Sequence, residues 1–155
     1  FTLLELLVVV VIIGIFATIV LYALNDARSR GSEAGVKSNL ASARTQGDVY
    51  FNTNTAHPDS YTNVCTNALV GGVMGIGLNV YTAARAAGLS GYDTITDGVP
   101  VPPGTTGSLT KATCSQTSSA WAAEVPLKSG GVWCVDSLSR SLKRTVSIGS
   151  GTACN

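Results

Sequence analysis

Residues 1–24 read FTLLELLVVVVIIGIFATIVLYAL, and the rest of the chain is understood from them. Between positions 6 and 24 no residue is charged, and Thr18 and Tyr22 are the mild polar interruptions. About 20 such residues in a helix cross the hydrocarbon core of a bilayer. A helix that is apolar on every side demands burial on every side, which a small soluble domain does not give its surface helices. The opening fits neither common targeting element. A secretory signal starts with positive charge and closes on a small-residue cleavage site, whereas the first basic residue here is Arg28. The sequence starts at Phe1 instead of Met, so a preceding segment is expected to have been removed.

Glu5 is the anomaly in this stretch, with Leu3 and Leu4 before it and Leu6 after it. A carboxylate in hydrocarbon is costly and either finds a cation or takes up a proton. Three partners are open. The amine of Phe1 lies one helical turn away, the amine of a neighbouring copy would serve in a staggered assembly, and hydrated headgroups would serve at a membrane surface. In an assembly Glu5 would set the register, because a misplaced copy leaves its carboxylate unpaired. Single polar residues specify coiled-coil register in the same way.

Phe1, Thr2, Leu3, Glu5, Leu6, Leu7 and Gly14, ahead of and within an unbroken apolar run, resemble the N-terminal methylation signature (class III) of mature type IV pilins and pseudopilins. The match covers about the first 30 residues of the chain. The resemblance implies a leader cut before Phe1, methylation of the new amine at Phe1, and a docking and registry role for Glu5. It also implies partners: further copies of the chain in a helical filament, a prepilin peptidase, an assembly ATPase and a membrane platform protein. Many relatives carry a proline near position 22, where this chain has Tyr22, so the kink that proline imposes is missing. Gly14 and Thr18 remain as weak points for helix-core packing, and the resemblance implies local unwinding in the assembled filament, expected here over residues 14–21.

The helix is expected to continue to residues 51–54, where the turn-rich NTNTAHPDS begins. Val36, Leu40, Ala43, Gly47 and Tyr50 step by four, three, four and three, one stripe of a 3.6-residue period. Arg28, Lys37, Arg44 and Asp48 fall largely off that stripe. Three regions follow: residues 1–24 as a transmembrane or filament-core helix, 25–54 as its amphipathic continuation, and 55–155 as a head.

In the head, ALVGGVMGIGL (residues 68–78) is too short for a bilayer span and reads as a buried irregular loop. Asn79 is placed to cap a short helix over residues 80–87, with Gly88 as its stop. VPVPPGTTG (residues 99–107) and the Ser/Thr-rich stretch 105–119 read as loop. AWAAEVPL (120–127) and VWCVD (132–136) flank KSGG and form a hairpin, and RTVSI (144–148) extends it. Pro126 suits an edge strand or a strand exit. WCVDS partly resembles the late strand of pilin heads, where a glycine often follows and this chain has SLSR. The fold class is α+β: a long N-terminal helix, apolar then amphipathic, packed on a small antiparallel sheet.

Cys65, Cys114, Cys134 and Cys154 contain no CxxC pair, so a zinc-ribbon site is not indicated. Two disulfides and an oxidising compartment are expected, with three connectivities open. A net charge of +1 and 12% charged residues give no basic footprint for nucleic acid.

No enzyme is expected. His57, the one histidine, precedes Pro58 in a polar segment; no GxSxG or GK[ST] occurs. Asp93 and Asp97 lack the ligand count of a calcium loop and read as turn residues. No metal or cofactor is expected. The functional expectation is a major pilin, held in the cytoplasmic membrane before assembly and in an extracellular pilus after it, supporting adhesion, twitching motility or DNA uptake. The alternatives are a pseudopilin or minor pilin, and a single-helix-anchored surface binding protein.

Overall fold

A computed structural model describes residues 2–89 and 109–155. The fold is α+β: one long helix, a short second helix, and a four-stranded antiparallel sheet. The chain divides into two compact units, Phe1–Gly31 and Ser32–Asn155. Residues 32–53 of the long helix fall in the same unit as the head.

Helix α1 runs Leu3–Thr53. Its buried residues are Val36, Leu40, Ala43, Gly47 and Tyr50, the stripe read from the sequence. At its end Asn54 accepts the backbone N–H groups of Ala56 (2.9 Å) and His57 (3.3 Å), an Asx-type stop. The Tyr50 hydroxyl donates to the Thr62 carbonyl at 2.6 Å and holds the returning chain on the helix.

Residues 68–78 are more ordered than the expected loop. Strands β1 (Leu69–Val70) and β2 (Val73–Met74) pair across Gly71 and Gly72, whose φ values of 57° and 84° suit a tight hairpin turn that side-chain-bearing residues resist. Helix α2 runs Gly77–Ala86, starting before the expected residue 80. Asn79 lies inside its first turn, and Ile76 precedes the helix without a side-chain cap. Gly88 (φ 79°) does end it, with the Leu89 N–H reaching back to the Ala84 carbonyl. The Ser32 hydroxyl donates to the Ala86 carbonyl (2.6 Å), and the Thr82 hydroxyl to Asn39 (3.1 Å), fixing α2 along α1.

The sheet is a meander of β3 (Thr113–Gln116), β4 (Trp121–Pro126), β5 (Val132–Asp136) and β6 (Ser141–Arg144), in that spatial order. β3 falls in the stretch read as loop. Its outer edge is covered: Gln116 accepts the Cys65 N–H (2.6 Å), and the Tyr61 N–H donates to Ser118 (2.9 Å). β4 is central, so Pro126, paired with Val132 at the strand's last position, marks an exit and not an edge.

β6 ends where the expected third strand would begin. Asp136 draws the turn after β5 tight by accepting the N–H groups of Leu138 and Arg140, both at 3.0 Å, and this brings β6 forward in sequence. Residues 145–148 then leave the sheet, because the buried carboxylate of Glu124 takes the Ile148 N–H (2.9 Å) and the Ser147 hydroxyl.

Alternation along β4 and β5 gives the sheet two differently covered faces. Trp121, Ala123, Val125 and Val135 join Val36, Leu40, Ala43 and Tyr50 in the core under the helices. Trp121 lies against Gly47, where an added Cβ would come within 2.8 Å of its ring. Ala122, Glu124, Cys134 and Asp136 alternate with that set and carry the C-terminal segment, residues 145–155. Disulfides join Cys65 to Cys114 and Cys134 to Cys154. The first ties the segment after α1 to β3, and the second ties the C-terminal segment to β5.

Candidate functional site

The described part of the Phe1–Gly31 unit is helix from Leu3 onward, and its apolar side chains are exposed instead of packed in a core. Leu3, Leu4, Leu6, Leu7, Ile13, Phe16 and Leu21 are each more than half exposed, and the residues between them are exposed too. No side of residues 6–24 is set aside as polar. At 1.5 Å per residue those 19 positions extend about 28 Å, the thickness of a bilayer's hydrocarbon core. The helix is thus long and apolar enough to cross a membrane, with none of its most apolar window buried in the chain's own core. Two chemical environments satisfy such a surface: lipid chains, or other helices of the same kind.

The polar end of this surface is built by two residues. The Thr2 N–H donates to Glu5 Oε2 at 2.8 Å, and the Thr2 hydroxyl donates to the same oxygen at 3.0 Å. In return Thr2 Oγ1 lies 3.3 Å from the Glu5 N–H, which donates to it. This is a capping box, in which a Thr before the first turn and a Glu three residues later satisfy each other's N–H groups. The Glu5 carboxylate therefore has partners within its own chain, and they are neutral. Phe1, expected to supply the amine, lies outside the described residues. The T-x-x-E spacing of Thr2 and Glu5 is the sequence signal for this cap.

Helix α1 is unbroken through residues 14–21 in the single chain, whereas the unwinding expected there belongs to the assembled filament. The Thr18 hydroxyl donates to the Ile15 carbonyl at 2.7 Å, so its polar group is satisfied inside the helix. Around Gly14 there is no atom within 4 Å of an added Cβ, and the chain's own packing gives no reason for a glycine there. Beyond the apolar run, Asp26 and Arg30 form an exposed ion pair at 2.9 Å, one helical turn apart.

The remaining residues singled out lie in the other unit. All four cysteines are buried and disulfide-bonded. His57 is partly buried, with its N–H on Asn54. Asp93 and Asp97 lie outside the described residues. Among the described residues no group of His, Cys, Asp and Glu is arranged to hold a metal ion. Glu124 and Asp136, both fully or nearly buried, were not singled out from the sequence. Their only sequence signal is an acid in each of two otherwise apolar strands, AWAAEVPL and VWCVD.

No protein-family model, curated protein or solved structure matches this chain.

Proposed function

We propose that this chain is the structural subunit of a type IV pilus-like filament, polymerising through residues 1–24. The observation that carries the reading is a 19-residue helical surface, exposed on every side, with an acid held one turn inside its apolar start. In the membrane, lipid covers this surface; in the filament, identical helices cover it. Glu5 then exchanges its Thr2 partners for the amine of a neighbouring copy, an ion pair in place of hydrogen bonds from uncharged donors. The residue pattern around Phe1 and Glu5 resembles that of pilins and supports N-methylation at Phe1. By the same resemblance the partners are a prepilin peptidase, an assembly ATPase and a platform protein, and the filament is extracellular, serving adhesion, motility or DNA uptake.

One observation favours a second reading, a surface protein anchored by a single helix. The capping box already satisfies Glu5, so an anchor needs no neighbour to tolerate it. The two readings part on Glu5→Ala in the producing cell. A filament subunit loses sheared surface fibres while the chain accumulates in the membrane fraction. An anchored protein keeps its surface display at native level, and that result would sink the filament reading.

A further inference from the structure

The C-terminal segment is the cover of the sheet's second face, and two buried carboxylates hold it there. Asp136 is 1% exposed and its two oxygens are fully used. Oδ1 accepts the N–H groups of Leu138 and Arg140, and Oδ2 accepts the N–H of Cys154 at 2.8 Å. Arg140 stands 3.9 Å from the same Oδ2, and its guanidinium also donates to the Cys154 carbonyl (3.5 Å) and to the Asn155 side chain. Glu124 holds Ser147 and Ile148, and the Ser115 hydroxyl donates to the Ser150 carbonyl at 2.9 Å. Apart from the turn contacts to Leu138 and Arg140, each joins the sheet or its β5–β6 turn to the segment that carries Cys154.

We propose that Asp136 and Glu124 are positioning residues for a disulfide: they seat residues 145–155 on the sheet so that Cys154 meets Cys134. Cys134 lies two residues before Asp136 on the same face of β5, and Cys154 is the residue whose N–H Asp136 binds. One carboxylate therefore fixes the backbone of one partner while its own strand carries the other. The carboxylates raise the effective concentration of one thiol at the other. The step is thiol–disulfide exchange with a small external disulfide. One cysteine thiolate attacks it, and the second thiolate displaces the remaining half. The cysteine pair gives up two electrons and two protons, and the external disulfide leaves as two thiols. The Cys65–Cys114 pair shares none of these contacts and serves as an internal reference.

The two acids differ in how they tolerate an amide. Asp136 faces three N–H donors and has no acceptor to spare, so Asp136→Asn must turn an NH2 group toward one of them. Glu124 faces one N–H and one hydroxyl. In Glu124→Gln the amide oxygen takes the Ile148 N–H, and its NH2 donates to the Ser147 oxygen, which accepts as well as it donates. Glu124→Leu has no such option.

The test is a redox titration of the full chain in detergent micelles with reduced and oxidised glutathione. Thiols are alkylated after denaturation, and each pair is read by peptide mass spectrometry. We expect Asp136→Asn and Glu124→Leu to lower the equilibrium constant for the Cys134–Cys154 bond about tenfold, the worth of one hydrogen bond to a charged group. Glu124→Gln is expected to match the wild type, and Cys65–Cys114 to close at the same poise in all four proteins. Unchanged closure of Cys134–Cys154 in Asp136→Asn would overturn the proposal. So would an equal loss at both pairs, which marks general destabilisation. Neither readout depends on filament formation.

Discussion

Gly47→Ala tests the packing of α1 on the sheet with a sign that helix propensity alone gets wrong. Alanine is better than glycine in a helix interior by about 1 kcal/mol, so an unpacked site would be stabilised. At Gly47 the new methyl would stand 2.8, 2.9 and 3.0 Å from Cζ2, Nε1 and Cε2 of Trp121. Trp121 is 1% exposed and its strand is central, so the ring has no room to withdraw. Overpacking of this kind costs ~1–3 kcal/mol. The net effect is destabilisation by about 1 kcal/mol, a fall of ~3–5 °C in Tm for a unit of this size. The ring atoms in conflict are indole atoms that phenylalanine lacks. In a Trp121→Phe background the same glycine replacement should therefore lose its penalty and become stabilising by up to ~1 kcal/mol. Thermal melts of the four proteins of this cycle, disulfides intact in micelles, give a coupling energy of ~1–3 kcal/mol. A Gly47→Ala protein that melts at or above the wild type, or a coupling near zero, refutes the close approach of helix and ring.

Burial, aided by the negative charge of Asp48, pushes the Tyr61 phenol above its ordinary value. Its stabilising effect is complete below about pH 10 and is lost as pH rises through the folded-state value, so Tm should fall more steeply above pH 10 for the wild type than for Tyr61→Phe. Loss of the Cys65–Cys114 bond, which spans 49 residues, should cost about 4 kcal/mol, and loss of Cys134–Cys154, spanning 20, about 3 kcal/mol. Denaturant titration of the Cys65→Ser/Cys114→Ser and Cys134→Ser/Cys154→Ser proteins would measure both, and a reversed order would count against the loop-entropy basis. Thr2→Ala removes the capping hydroxyl at the start of α1 and should weaken the first turn by about 1 kcal/mol. Amide exchange at residues 4–6 in micelles should rise in that variant, and unchanged protection would show that the capping box does not hold the first turn.

What the sequence revealed follows from where the physics is local. The stripe Val36, Leu40, Ala43, Gly47, Tyr50 was legible because burial against one surface imprints a 3.6-residue period, and the structure buries those residues. The strands at Trp121 and Val132 were legible from their apolar residues and the KSGG turn between them. β3 was not, because TCSQ is polar and short; it is a strand only because β4 pairs with it and the Cys65 segment covers its edge. The end of β6 was misplaced because Glu124 draws Ile148 off the sheet across 24 residues, and no local pattern encodes such a contact. The start of α2 was misplaced because Asn79 has the chemistry of a cap and yet lies within the helix. At the apolar helix, hydropathy disclosed the surface itself, and the T-x-x-E spacing that satisfies Glu5 lay in plain view beside it.

On the proposed function, residues 1–24 leave lipid for a bundle of identical helices. The most direct measurement is cryo-electron microscopy of fibres sheared from the producing cell, together with mass spectrometry of the N-terminal peptide. The expected result is a helical fibre with residues 1–24 packed along its axis, Glu5 within reach of a neighbouring amine, and N-methylated Phe1. Fibres that lack this chain, with the chain held intact in the membrane fraction, would contradict it.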